Sequence, residues 1–220
     1  MSNLKLLNTV NAKTVKGEKK GYMTFILYLA PGKLSGYEVC PKSTEECRQG
    51  CLYYAGYGKM ASVQKARISK TKRYFQDNPQ FLNDLKQDIV KGQAMAKRKG
   101  LTPVFRLDGT SDLGMAKLLS REFPKVQFYD YTKCLSRAPS ENWHITYSYS
   151  GDNLSECLAK LSEGKNVAVV FKKGLPETWH GFPVVSGDET DLRFLDAPGS
   201  VVGLYAKGPA KGVDNKFVVL

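Results

Sequence analysis

No apolar run in this chain approaches the roughly 18 residues that a membrane-crossing helix needs, so no membrane span is expected. The first twenty residues are polar and lysine-bearing, without the apolar stretch of a secretory signal, which sets a cytoplasmic expectation. There is no internal repeat and no low-complexity tract, which argues against solenoids and disordered linkers. Histidine is scarce. His144 and His180 are the only two, so neither a His-based triad nor a His metal pair can be read, and His144, early in an expected strand, reads as structural. No Cys-x-x-Cys pair occurs, which removes the usual signature of a thioredoxin-like redox site.

What is present fits one soluble domain. The chain has 220 residues, 42% hydrophobic and 25% charged, enough for one substantial core and few for two. A single α/β domain over residues 1–220 is therefore expected. The formal charge of +12, from 33 basic and 21 acidic residues, favours contact with polyanions without naming one.

Short β-branched and aromatic runs alternate with stretches of helical periodicity. Strands are expected over residues 22–30, 103–107, 126–131, 143–150, 166–171, 182–186 and 201–205. Helices are expected over 62–75, from Asn78 with Pro79 in its first turn to near Gly100, over 112–122, and over 153–163. This alternation argues for a mostly parallel sheet with βα repeats, either an incomplete (β/α) barrel or an open doubly wound sheet. The incomplete barrel, with a cysteine loop after the first strand, is the expected form. Both place functional groups at the C-terminal ends of strands.

Polar residues fall at those ends. One strand runs into Arg106-Leu-Asp108-Gly-Thr-Ser111-Asp112, the next into Asp130-Tyr131-Thr132-Lys133, and another into Tyr147-Ser148. Gly187-Asp188-Glu189 and Lys207-Gly208 finish the last two. Arg106 interrupts an apolar strand and needs a partner; Asp108, two residues on, is the expected one. The pair either braces a loop or offers Arg106 to a carboxylate or phosphate, and Asp130 and Lys133 pose the same choice. Arg106, Asp108, Ser111, Asp130 and Lys133 are the candidate catalytic residues. Arg106, Asp108, Tyr131 and Ser148 are candidates for holding a cofactor.

The strongest signal is Cys40, Cys47 and Cys51, spaced C-x6-C-x3-C in a loop bearing Pro41 and Gly50. In a reducing compartment clustered cysteines point to metal rather than disulfides. Cys134 and Cys157 stand alone and read as small apolar residues. Structural zinc wants a second ligand pair, and only distant residues could supply one. Three thiolates suit a 4Fe–4S cluster with one iron left open, and zinc remains the alternative. A basic helix at residues 65–73, the Lys97-Arg98-Lys99 run and Tyr53, Tyr54 and Tyr57 would serve a nucleic-acid-binding protein with a structural metal. A protein that docks on a bacterial host protein is a third possibility.

The runs VKGEKKGY, LYLAPGKLSGYEVCP, CRQGCLYYAGYG, SVQKARISKTKRYF, RLDGTSD, QFYDYTK, NVAVVF, GDETDLRFLD and VVGLYAKG resemble the bacteriophage gene product 88-like family over nearly the whole chain. The resemblance implies a phage-encoded protein acting in an infected bacterial cytoplasm, and no particular reaction. The three-cysteine loop also looks like that of the radical S-adenosylmethionine enzymes, in which three thiolates hold a 4Fe–4S cluster whose open iron chelates S-adenosylmethionine. Those enzymes usually show C-x3-C-x2-C with an aromatic before the last cysteine, a place taken here by Gly50.

Overall fold

The computed structural model describes residues 4–9 and 12–220. Ten strands and six α-helices occur among them. In chain order they are β1 (Leu7–Asn8), α1 (Ala12–Glu18), β2 (Tyr22–Leu27), α2 (Glu45–Gln49), α3 (Ala61–Gln76), α4 (Asn78–Arg98), β3 (Thr102–Arg106) and α5 (Ala116–Glu122). There follow β4 (Gln127–Thr132), β5 (Trp143–Ser148), α6 (Leu154–Ser162), β6 (Val167–Phe171), β7 (Thr178–Trp179), β8 (Phe182–Ser186), β9 (Val201–Tyr205) and β10 (Val218–Val219).

The strands form one sheet in the order β1-β2-β3-β4-β5-β6-β9-β8-β7, with β10 also on β6. Only β1–β2 and β7–β8 are antiparallel. The sheet is mixed but mostly parallel and is not closed into a barrel. No helix among the described residues is long and apolar enough to cross a membrane.

Period-two alternation splits the strands into two faces. Phe25, Phe105, Phe128 and Trp143 are successive partners across four strands. The rings of Phe25 and Phe105 stack 5.0 Å apart, and Phe128 follows at 5.9 Å. Against this face pack Phe81, Leu85 and Ile89 of α4, Ala116 and Leu119 of α5, and Cys157 and Leu161 of α6. Each fully buried Phe or Leu contributes about 1.5–3 kcal/mol, so this layer supplies most of the fold's stability. The run β2 to β6 never reverses direction, which keeps the crossover helices on one side. The opposite face carries Arg106, Tyr129, Tyr131, Thr146 and Ser148, and is partly covered by Leu192 and Phe194 from the segment after β8.

Several expectations change. The cysteine segment follows β2, which is not the chain's first strand. Asp88 accepts the backbone N–H groups of Lys5, Leu6 and Leu7, and so holds the antiparallel edge strand β1 that periodicity did not reveal. The helix expected from residue 112 begins at Ala116, because the Asp108 carboxylate accepts the amides of Leu113, Gly114 and Met115 at 3.0, 2.8 and 3.1 Å. Asn78 opens α4 as its first residue rather than its cap. The first and fourth expected strands end sooner, at Leu27 and Ser148.

β5 meets β6 only at Tyr147↔Val167 and Ser148↔Ala168, after which the two strands part. β10 fills the gap, pairing Val218 with Val170 and Val219 with Phe171, while Phe217 packs with Ala206, Ala210 and Cys47. Deleting residues 217–220 should therefore lower stability by at least about 3 kcal/mol, the cost of losing a buried aromatic. Unchanged chemical denaturation of the shortened chain would refute this role.

Candidate metal centre and its cavity

The cysteine segment is folded by local polar contacts before any ligand is considered. Thr44 caps α2, its hydroxyl accepting the Cys47 N–H at 3.2 Å and donating to Ser150 O at 2.8 Å. Arg48 donates to Ser43 Oγ and to Glu38 at 2.9 and 3.1 Å. Asp112 N donates to Val39 O at 2.7 Å, tying this segment to the loop after β3. A Cβ at Gly109 would stand 2.7 Å from Leu27 O and 2.6 Å from Ile26 Cγ2. Glycine is thus required where the loop lies flat on the end of β2.

Cys40, Cys47 and Cys51 all line a cavity of about 250 Å³ at the C-terminal ends of the parallel strands. Cys40 Sγ accepts from Gly32 N at 3.4 Å and faces Thr110 O at 3.8 Å. Cys51 Sγ accepts from Tyr53 N at 3.5 Å. Burial pushes the Cys40 thiol up to about 12 and raises that of Cys51. Lys133 lies half-buried on the same cavity. Burial opposes its charge, but Cys47, Asp112 and Cys40 outweigh that and hold it above its usual range. Its ammonium lies 5.6 Å from the Phe217 ring.

Among the described residues, no three His, Cys, Asp or Glu side chains are grouped as the ligands of a metal ion. Around one zinc at about 2.3 Å, tetrahedral sulfurs stand roughly 4 Å apart. In a cluster each thiolate takes a different iron, so the sulfurs stand wider. Three thiols on one cavity are the donor set that a cluster with one open iron would take.

The structure brings together all but one of the residues singled out from the sequence. Arg106, Asp108, Ser111, Tyr131, Lys133 and Ser148 all line the same cavity. Asp130 does not. It lies in the helix-side layer, accepting from Asp108 N at 2.8 Å and from Trp143 Nε1 at 3.1 Å. Burial, then the nearby Asp108, raise its pKa well above the carboxylate range.

The expected Arg106–Asp108 pair is replaced by Arg106–Asp191. Arg106 Nη1 reaches both Asp191 oxygens at 3.2 Å, and Tyr129 donates its hydroxyl to Asp191 at 3.0 Å. β3 ends at Arg106, so side-chain parity no longer holds at Asp108, which turns into its own loop and accepts from Ser111 Oγ at 2.6 Å. The Arg106 guanidinium lies 4.6 Å from the Tyr131 ring centre, and its Nε has no partner. Asp191, Thr110, Tyr205 and Lys207 also line it. Asp191 was not singled out from the sequence. The unpartnered charge at Arg106 was its only signal.

The basic helix offers less charge than its sequence suggests. Lys70 donates to Leu6 O at 2.6 Å, Arg73 pairs with Asp84, and Arg67 lies over the Tyr28 and Tyr53 rings. Lys65 and Lys72 remain exposed, while Tyr53 is buried.

His144 faces the inner side of β5 near Arg193. Burial, then the Arg193 and Lys165 charges, hold it down to about 4 from its usual 6.5. The unfolded chain therefore takes up this proton first. The contribution is complete above pH 6.5 and is lost as pH falls toward 4, by an amount on the order of 2 kcal/mol. His144→Gln should flatten that part of the pH–stability curve, and an unchanged slope would exclude His144 as its source.

No curated protein and no solved structure matches the chain. The gene product 88 family model matches residues 4–219, and the chain belongs to the gene product 88 family.

Proposed function

We propose that this phage-family protein holds a 4Fe–4S cluster on Cys40, Cys47 and Cys51 at the mouth of an unclosed (β/α) barrel, and binds a small anionic substrate or cofactor beside it. The observation that carries this reading is the sharing of one cavity by three neighbouring thiols and by the polar ends of β3, β4 and β5. The unreversed run of β2 to β6, with helices on one face and polar side chains on the other, supports the barrel-like form.

When bound, such a cluster supplies one-electron transfer and, with three cysteine ligands, an iron open to a ligand. The chain's own residues would do the rest. Lys133 compensates the negative charge of the thiolates. Arg106 is held by Asp191 and backed by Tyr131, and its partly exposed guanidinium on the cavity would attract a carboxylate or phosphate. Asp108 holds the 111–115 turn in place and anchors Ser111. Phe217, Val170 and Leu204 supply an apolar wall that keeps water out. A carboxylate such as that of S-adenosylmethionine suits the Arg106 edge, and an infected bacterial cytoplasm would supply the reducing conditions.

The test is metal analysis of the chain produced with iron and purified without oxygen. About four irons and four sulfides per chain are expected. Stoichiometric zinc without iron would replace the cluster with a zinc staple, and no metal would end the proposal. Absence of S-adenosylmethionine binding to fully loaded protein would remove that cofactor.

A further inference from the structure

A second cavity, of about 460 Å³, adjoins the first and is lined by Lys172, Tyr205, Ala206, Lys207 and Lys211. Tyr205 and Lys207 line both cavities. The three lysines come from separate places: just past β6, just past β9, and the 3-10 turn Gly208–Lys211. Their charges are only partly compensated. Lys207 pairs with Asp188. Lys172 donates to Val213 O at 3.3 Å and stands 4.0 Å from Asp214, a side chain 83% exposed. Lys211 has no ion pair among the described residues. Three lysines around one cavity keep its potential positive, and an anion seated there would be attracted to them. The Tyr205 ring, at the junction of the two cavities, is about half exposed.

We propose that this lysine cavity is a phosphate subsite, and that its ligand is a nucleotide unit whose base or sugar reaches past Tyr205 toward the cysteine cavity. Lysine ammonium groups bind phosphate as point charges. An exposed tyrosine beside them gives a base a flat surface to stack on. The phosphate could belong to a free nucleotide or to a single strand. That the rest of the ligand is the reacting part rests on the reading of the cysteine cavity as the reacting centre; the phosphate subsite does not depend on it.

Binding of adenosine monophosphate and of a fluorescent single strand of about ten nucleotides would be measured on the full chain at low salt, with and without bound metal. Saturable binding is expected in both metal states. The Lys172→Ala/Lys211→Ala variant should weaken it about tenfold or more, and arginine at both positions should restore most of it. For the strand, the salt dependence should lose about 0.7 in log–log slope per lysine removed. Lys211→Glu, a change at an exposed position, should weaken binding with unchanged melting, which guards against a folding artefact. Comparable affinity for both probes assigns a free nucleotide, and preference for the strand assigns nucleic acid. No binding at low salt, or binding indifferent to these variants, overturns the proposal. Because binding is read without turnover, that failure would leave the metal reading standing, and loss of the metal reading would leave this one.

Discussion

Chain carrying alanine at Cys40, Cys47 and Cys51 together should be isolated colourless and free of iron and sulfide, while otherwise folded. The expected effect is all or none, because no other thiol lies within the segment and Cys157, on the core-facing side of α6, is buried. In the metal-free chain the three thiols behave as small, half-buried groups. Their removal should therefore cost the apo fold only about 1 kcal/mol, whereas the loaded protein loses the whole of the metal's contribution to folding. Comparing melting of loaded and metal-free forms of both chains separates the two effects. A triple variant that retains full iron would show that other residues hold it.

The second large effect is expected at Asp191. It is 4% exposed and is the partner of both Arg106 and Tyr129. Asp191→Ala leaves a largely buried guanidinium, its side chain 16% exposed, without its counter-charge, and breaking such a pair from one side costs about 3–5 kcal/mol. For a chain of this size that is a fall of roughly 6–20 °C in melting temperature. The double change Arg106→Met/Asp191→Leu should be milder, since replacing both charges by apolar groups removes the uncompensated ion. Melting of Asp191→Ala within a degree of the parent chain would show that water reaches Arg106 and screens it. In the loaded protein, the double variant should also lose affinity for carboxylate or phosphate ligands through the missing guanidinium edge.

These two sites differ in how far they could be read in advance. The cysteines announce themselves because thiol spacing is local: Cys40, Cys47 and Cys51 lie on one short segment, so proximity follows from chain connectivity. The parallel strands and the long helices are legible for the same reason. The β-branched run at β6 and the three-to-four spacing of Phe81, Leu85 and Ile89 are patterns within one element. Arg106 could be marked as needing a partner, but the nearest carboxylate in sequence was the wrong one. Asp108 is drawn into its loop by three backbone amides and a serine, and the true partner arrives 85 residues later on the segment after β8. Asp130 looked like a site residue from its place near a strand end, and strand parity turns it toward Trp143.

The sequence by itself determined the alternation of strands and helices, the three-thiol segment, and the collection of polar groups at strand ends, since each depends on periodicity or spacing over a few residues. Only the tertiary structure decided that Arg106 answers to Asp191 and that the basic helix spends Arg67, Lys70 and Arg73 on its own chain. It also set β10 into the gap where β5 and β6 part and placed the lysine cavity beside the cysteines. Those pairings join segments far apart in the chain. They form only when the packed sheet brings the segments together, and no local pattern encodes which of several carboxylates, carbonyls or strand edges each group will meet.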